Sequence, residues 1–235
     1  MSCIKIDGIE IEVIRKNIKN MHLYVLPPDG RVRITAPVKL KDAAIRIFAT
    51  SKLDWIKKHR AKYLAQKMQP EKRFESGEIH YYQGKGYILN VLHTNSKQRV
   101  EVCKEKNRIN LFVREGSTME QRKKVLTEWY RSKLKEQIPG IIEKWEKIMG
   151  VKVKSFGVKL MKTRWGTCNI NTGRIWINLE LAKRSDRCLE YIVVHEMTHL
   201  IEKYHNKRFY SYMNMFMPDW KEIRQELKNS SIAIQ

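Results

Sequence analysis

A short stretch between Tyr191 and Tyr210 places two histidines four residues apart, with a glutamate directly after the first, in the order His195-Glu196-x-x-His199. On an α-helix the two histidines lie only about 40° apart and one turn along, and Glu196 completes an arc of about 100°. Two imidazoles on one helical face can bind a single Zn²⁺, and the carboxylate between them then faces a metal-bound water as a general base. The spacing therefore predicts a helix that binds a metal ion.

His205 is the candidate for a third ligand, although its spacing does not fit a continuous helix. If the helix continued, His205 would lie about 240° round from His199 and point away from the metal. We therefore expect the helix to end near Lys203 and Tyr204, so that the chain can bring His205 back. Asn206 suits this reversal because asparagine caps helix starts and tolerates left-handed backbone.

The same spacing can arise by chance on any polar helix, so its surroundings matter. Here the surroundings are apolar, and one helical stripe contains Cys188, Leu189, Ile192, Val193, Glu196 and Leu200. Glu196 therefore lies at a buried margin, where an unpaired carboxylate is costly and a nearby cation relieves the cost. This context favours a metal site over core or solvent-exposed histidines.

The composition is that of an ordinary globular protein with a buried core, since 42% of its 235 residues are hydrophobic. No apolar run reaches the roughly 18 residues of a membrane span, and the N-terminus lacks the core of a signal peptide. We therefore expect a cytoplasmic protein without a membrane partner. The cysteines, Cys3, Cys103, Cys168 and Cys188, lie far apart, which argues against a zinc ribbon or a disulfide framework.

The net charge of +22 is the other global property of the chain. Such a balance attracts polyanions, so nucleic acid is a possible partner. The basic residues are nevertheless spread along the chain, mostly on polar helix faces, and a solvated basic surface is the more common explanation.

The order of predicted elements indicates an α+β protein with three segments. Residues 1–77 read as β-hairpin strands followed by a helix, and residues 78–116 as a second β-rich region. Residues 117–235 read as a catalytic domain, whose first helix starts at a Ser117–Glu120 capping box and meets a kink or break at Pro139. The polar stretch 67–77, which contains Pro70, is the expected linker. Whether the three segments pack as one continuous domain stays open.

The C-terminal segment combines a strand at Val151–Leu160, a loop of unusual composition, and a second strand at Arg174–Leu181. The loop reads Arg164-Trp165-Gly166-Thr167-Cys168. Ser185 or Asp186 is the expected N-cap of the helix that carries His195.

These motifs, in this order, resemble the YgjP-like (SprT-like) family of zinc metallopeptidases. The residues that carry the resemblance are Arg164 to Cys168, Ile175 to Leu181, Tyr191 to Leu200, His205 with Phe209, and Met217 to Trp220. The resemblance implies a minimal zincin-like domain in which His195, His199 and His205 bind one Zn²⁺ and Glu196 is the catalytic base.

The mechanism that we expect is hydrolysis of a peptide or protein substrate, in which Glu196 activates a zinc-bound water to attack the peptide carbonyl. We expect Arg164, Trp176 and Asn178 to contact the substrate. The strand Arg174–Leu181 is the candidate edge for pairing with an extended peptide backbone.

Two other functions stay open. Similar sequences have been described as nucleotide (UTP) pyrophosphatases, and a positive charge suits a phosphate ester, although no aspartate cluster is evident to hold Mg²⁺. A basic nucleic-acid-binding protein with a protease-like head is the third possibility. The oligomeric state does not follow from the sequence.

Overall fold

The computed structural model describes residues 2–26, 29–67 and 72–229. The chain divides into two compact units, Met1–Glu71 and Lys72–Gln235. The three predicted segments have other limits, because the second β-rich region lies in the same unit as the C-terminal helices, and their status as domains stays a prediction. Pro70 of the predicted linker lies outside the described residues.

The first unit is a four-stranded sheet with two helices. Its strands are β1 (Ser2–Ile6), β2 (Ile9–Lys16), β3 (His22–Leu26) and β4 (Arg31–Pro37), in the order β1-β2-β4-β3, followed by helices α1 (Asp42–Ser51) and α2 (Leu53–Lys67). Alternate residues of each strand are apolar and turn to one face. That face forms a separate hydrophobic core, in which Ile11, Ile34, Ile45 and Ile56 are fully buried.

The second unit begins with a sheet of the same topology. Its strands are β5 (Ile79–Tyr82), β6 (Lys85–His93), β7 (Arg99–Cys103) and β8 (Arg108–Val113), in the order β5-β6-β8-β7. In both sheets the outer strand pairs are antiparallel and the central pair is parallel. The turns that open them also match, since Asp7–Gly8 and Gln83–Gly84 each combine two positive φ angles. The protein therefore contains one four-stranded arrangement twice.

Helix α3 (Met119–Met149) packs its apolar stripe against the second sheet and the helices that follow. Its N-cap is Thr118, which forms a capping box with Gln121, so the predicted Ser117–Glu120 box was one residue too early. Pro139 lies inside the helix without ending it. Gly150 adopts a left-handed conformation (φ 66°) and ends the helix, as an αL cap does.

A three-stranded sheet then precedes the remaining helices. It consists of β9 (Ser155–Lys159), β10 (Gly166–Asn169) and β11 (Arg174–Asn178), in the order β10-β11-β9. The strand predicted at Val151–Leu160 is shorter than expected, and the predicted loop contains β10. The strand predicted at Arg174–Leu181 ends at Asn178, because Asn178 caps a short 3₁₀ helix, Leu179–Lys183.

Helices α4 (Asp186–Thr198), α5 (Lys207–Phe216) and α6 (Trp220–Asn229) complete the second unit. Their apolar residues share one core with α3, β10, β11 and the second sheet. The α+β class is thus as predicted. No helix within the described ranges is both long and apolar enough to cross a membrane.

Gly157 of β9 provides a test of this packing. A Cβ atom at Gly157 would lie 2.7 Å from Cε3 of Trp176 on the neighbouring strand, whereas a Cβ at Gly140, in α3, would meet nothing within 4 Å. We expect Gly157→Ala to lower the free energy of unfolding by about 1–3 kcal/mol, since the indole must move. Gly140→Ala should raise it by up to about 1 kcal/mol, because alanine favours a helix.

Urea unfolding of the two variants and the wild-type protein measures both changes. Equal stability of Gly157→Ala and wild type would contradict the close packing of Trp176 on β9.

Candidate active site

Helix α4 is almost entirely buried in the core of the second unit. Ser185 is its N-cap, as one of the two predicted alternatives, and its side chain accepts a hydrogen bond from the Cys188 amide. Val193, Val194 and Met197 are fully buried. This packing fixes the helix so that the side of α4 that carries His195, Glu196 and His199 faces a cleft.

The chain reverses after α4 earlier than the sequence suggested. The helix ends at Thr198 rather than near Lys203 and Tyr204. The cause is a tightening of the last turn, in which the amides of Leu200 and Ile201 donate to the carbonyls three residues earlier, at 3.0 Å each. Asn206 then starts α5, and its Oδ1 accepts from the Phe209 amide at 3.0 Å. His205 is thereby held directly before an N-cap.

The reversal brings the three histidines together. One ring nitrogen from each of His195, His199 and His205 lies within 4.8 Å of the others. The Nε2 atoms of His195 and His205 are 3.0 Å apart. Nitrogens at 2.0–2.1 Å from a tetrahedral Zn²⁺ are separated by roughly 3.4 Å, so this spacing is close to what a shared ion requires.

The hydrogen bond of His199 also fits a metal ligand. Its Nδ1 lies 3.2 Å from the backbone carbonyl oxygen of Glu202. A carbonyl oxygen can only accept, so Nδ1 carries the proton and Nε2 keeps its lone pair. Metal-binding histidines are commonly oriented in this way by a carbonyl behind the ring.

Phe209 packs behind all three imidazoles. Its ring centroid lies 5.0 Å from that of His195, 4.8 Å from that of His199 and 4.7 Å from that of His205. The side chain is fully buried, so it holds the rings from the core side. The sequence singled out Phe209 only beside His205 in the family resemblance, and its place one turn after the Asn206 cap is the signal for this packing role.

Burial keeps the imidazoles neutral, as metal binding requires. Burial, together with the smaller effects of the neighbouring His199 and His205, lowers the pKa of His195 to about 3. Burial also lowers the pKa of His199 and of His205. At neutral pH all three rings therefore present lone pairs.

Glu196 lines the same cleft, and its side chain is almost completely buried. It is 5% exposed, and burial raises the pKa of its carboxyl to about 8, against a smaller opposing effect of Arg164. Gly166 of β10 lies directly against it, since a Cβ at Gly166 would be 2.5 Å from Oε1 of Glu196. Sequence reasoning placed Gly166 in a motif but missed that only glycine leaves room for this carboxylate.

The cleft in front of these residues has a volume of about 760 Å³. Its walls are the stretch Thr163–Cys168, the inner side of α4, and parts of α5 and α6. Cys168 is also part of this wall, and burial raises the pKa of its thiol to about 11. It is therefore a neutral thiol near neutral pH.

Of the three residues expected to contact the substrate, the structure brings only Arg164 to the cleft. Asn178 is fully buried, and its amide donates to the carbonyls of Met161 and Arg164 at 2.9 and 2.7 Å. Trp176 packs over Gly157 and lies between the side chains of Lys159 and Arg174, outside the cleft lining. Asn178 thus shapes the loop that carries Arg164.

The strand expected to be a free edge is instead the middle of its sheet. β11 pairs with β10 on one side and with β9 on the other. The strand at the edge of the sheet that borders the cleft is β10. Its position could not be predicted from the sequence, because strand order depends on tertiary structure. The backbone N–H of Asn178 donates to the backbone carbonyl of Trp165 at 2.9 Å, so these two residues form a hydrogen-bonded pair of the ladder. Since hydrogen-bonded pairs alternate in an antiparallel ladder, the N–H and C=O of Gly166 and Cys168 point away from β11.

The raised pKa of Glu196 predicts a specific pH dependence in metal-free protein. The pKa of this carboxyl is 4.5 when the side chain is in water, as in the unfolded chain, and about 8 in the folded protein. Ionisation therefore opposes folding increasingly as pH rises from about 4.5 to about 8. We expect Glu196→Gln to gain stability over wild type across this window, because glutamine does not ionise.

Urea midpoints of both proteins, measured with a chelator between pH 4.5 and 8.5, test this difference. The histidines are common to both proteins and cancel. Parallel curves for the two proteins would contradict a buried, protonated Glu196.

Two solved structures resemble part of the fold. The zymogen of the metallopeptidase abylysin from Pyrococcus abyssi is 20% identical, with a TM-score of 0.37, and the match covers 39% of this chain and 92% of that one. The zymogen of the metallopeptidase jannalysin from Methanocaldococcus jannaschii is 18% identical, with a TM-score of 0.35 and coverages of 39% and 93%. No curated protein matches the chain.

The family described as YgjP-like, metallopeptidase domain, matches residues 19–230, which is most of the sequence. The match extends through both compact units and includes the histidine cluster and Glu196. The resemblance predicted from the C-terminal motifs is thereby confirmed, and the chain belongs to the YgjP-like metallopeptidase family.

Proposed function

We propose that this chain is a zinc-dependent peptidase in which Glu196 is the general base. The observation that carries the proposal is the convergence of three neutral imidazoles, with donor nitrogens within 4.8 Å, beside a buried carboxyl in one cleft. Family membership supports a metal-dependent hydrolase. We add to this the identity of the ion as zinc, a peptide as the substrate, and a role for each residue.

His195, His199 and His205 would hold one Zn²⁺, since three neutral nitrogen donors are a common ligand set for catalytic zinc. When bound, such an ion polarises a substrate carbonyl and makes water acidic enough to react near neutral pH. The hydrogen bond from His199 Nδ1 to the Glu202 carbonyl and the packing of Phe209 would keep the rings in position.

Glu196 would accept the proton of the attacking water and pass it to the leaving nitrogen. A pKa of about 8 lies near the working pH, and a base that must both take and return a proton needs such a value. Gly166 permits this role because its missing side chain leaves space for the carboxylate. The burial of Glu196 also limits exchange of its proton with bulk water.

β10 would bind the substrate backbone. Its outer edge offers the N–H and C=O groups of Gly166 and Cys168, and an extended peptide can pair with such an edge as an additional strand. The strand borders the cleft beside Glu196, so a paired peptide would pass the catalytic carboxyl. Arg164, at the start of the same stretch, would contact the substrate as well.

Hydrolysis of a nucleotide is the alternative that one observation favours, namely the cationic side chains in the cleft. Phosphate-transfer enzymes commonly use Mg²⁺ held by carboxylates. Within the described ranges, the histidine cluster is the one group of three or more potential ligands, and it contains no carboxylate. Peptide hydrolysis is therefore the better supported proposal.

Paired variants of the two kinds of residue test the assignment. We expect Glu196→Gln to bind one zinc ion per chain as the wild type does, while kcat for a peptide falls by about 10²–10⁴-fold through loss of the base. We expect His205→Ala to lose zinc, because two imidazoles remain.

Zinc content after dialysis and hydrolysis of a mixed peptide pool are the measurements, and nucleoside triphosphates are offered in parallel. Wild-type zinc content in His205→Ala would contradict the three-histidine site. Full activity of Glu196→Gln would remove the general base from the account.

Gly166→Ala tests the position of the carboxylate without changing any ligand. The added methyl group must displace Glu196, and a shift of about 1 Å at a catalytic group costs about 10²-fold in rate. We therefore expect kcat to fall by about 10²-fold while zinc content is unchanged. Gly140→Ala is the matched control, since its Cβ meets no neighbour, and its kcat should equal that of wild type.

A further inference from the structure

Positive charge is concentrated in the cleft that contains the histidine cluster. Four cationic side chains line it, Arg164, Lys203, Arg224 and Lys228, whereas Glu196 is the single carboxylate of the lining. The cations come from three separate segments, the loop before β10, the connection between α4 and α5, and helix α6. The concentration is thus a property of the folded cleft rather than of one basic stretch of sequence.

These four cations are not held in close ion pairs, although Arg164 is near enough to Glu196 to oppose the rise in the pKa of that carboxyl. Among the residues that the structure describes, no ion pair involves Arg164, Lys203, Arg224 or Lys228. By contrast, Arg187 of α4 forms ion pairs with Asp219, directly before α6, and with Glu222 of α6. The cleft therefore has an excess of positive charge, with four cations against one carboxyl group.

Helix α6 separates its charges by face. Arg224 and Lys228 lie about 40° apart, while Glu222 and Glu226 lie about 160° and 200° round from Arg224. The acidic face turns to the start of α4, where Glu222 is 3.6 Å from Arg187 and Glu226 accepts from the Ser185 hydroxyl at 2.7 Å. The cationic face turns to the cleft. The acids of α6 thus contact the start of α4, whereas Arg224 and Lys228 line the cleft.

A concave site with charge of one sign attracts ligands of the opposite sign and repels those of its own. Glu196 does not neutralise the set, since one carboxylate faces four cations. For a peptide paired with β10, side chains alternate between the two sides of its backbone, so some of them face the helices. Carboxylates at those positions can bind Arg224 and Lys228.

We propose that the cleft selects peptides with carboxylates beside the scissile bond, and that Arg224 and Lys228 determine this specificity. The inference rests on the proposed peptidase function and adds the class of substrate. The carboxylate can belong to an Asp or Glu side chain or to the peptide's C-terminus. The peptide is favoured over a nucleotide by the free edge of β10 and by a ligand cluster that contains no carboxylate.

Matched peptides test the selection by hydrolysis. Each acidic peptide is compared with its Asn or Gln counterpart and with a Lys counterpart, and a free C-terminus is compared with an amidated one. We expect the wild-type kcat/KM to be about tenfold or more higher for acidic than for amide peptides, and lowest for Lys peptides. The free and amidated termini distinguish the two sources of the carboxylate.

Charge-removing variants assign the effect to α6. In Arg224→Gln/Lys228→Gln we expect the ratio of acidic to amide kcat/KM to fall to about twofold or less. Lys124→Gln/Lys135→Gln is the matched control, since it removes two charges from exposed positions of α3 that do not line the cleft, and it should keep the wild-type ratio. An unchanged ratio in the α6 variant would overturn the role of Arg224 and Lys228.

Binding to zinc-loaded Glu196→Gln gives a readout that does not depend on turnover. We expect fluorescence anisotropy to show about tenfold tighter binding of acidic peptides than of their amide counterparts, and loss of that difference when Arg224→Gln/Lys228→Gln is added. Equal binding of acidic and amide peptides would overturn the inference. Tight binding of nucleoside triphosphates without binding of acidic peptides would overturn it as well.

The two proposals fail in different ways. Hydrolysis of neutral peptides at the rate of acidic ones would leave the peptidase standing and remove the selectivity. Selective binding of acidic peptides without hydrolysis of any peptide would keep the ligand class and remove the peptidase.

Discussion

The site depends on one backbone reversal, which lies between α4 and α5. Helix spacing alone brings two imidazoles together, but the third needs the chain to turn back within a few residues. The tightened last turn of α4 and the Asn206 cap of α5 provide this return, and Phe209 packs behind all three rings once it is made. The charge state of the site follows from the burial of these side chains, because burial keeps the imidazoles neutral and raises the pKa of Glu196 to about 8.

Two glycines are as important for this site as the residues with functional side chains. Gly166 lets β10 approach Glu196 so closely that its carboxyl, the strand edge and the cleft wall form one surface. Gly157 gives Trp176 a place on the far face of the same sheet, and Asn178 ties the loop before β10 from beneath. The small sheet therefore acts as a scaffold whose outer strand, β10, borders the cleft, while its middle strand, β11, pairs with β10 on one side and with β9 on the other.

Local chemistry made the histidine motif and the Ser185 cap predictable, because each depends on a few neighbouring residues. Ser117 and Thr118 each begin a capping-box pattern, and the helix uses Thr118 with Gln121, so the predicted cap differed by one residue. Strand order and the position of Trp176 depend on which segments meet in space, which no local pattern contains. The repeated four-stranded topology was hidden for another reason, since the two copies share the opening turn and the strand order but few side chains. A role for Arg224 and Lys228 of α6 could not be predicted from the sequence, because it depends on the cleft that these side chains line.

X-ray absorption spectroscopy of the zinc-loaded protein tests the central claim most directly, because it reports the atoms bound to the ion. The account predicts scattering from three imidazole nitrogens at about 2.0–2.1 Å, with one further light-atom ligand and no sulfur. A spectrum with two imidazoles, or with a sulfur ligand at about 2.3 Å, would contradict the three-histidine centre.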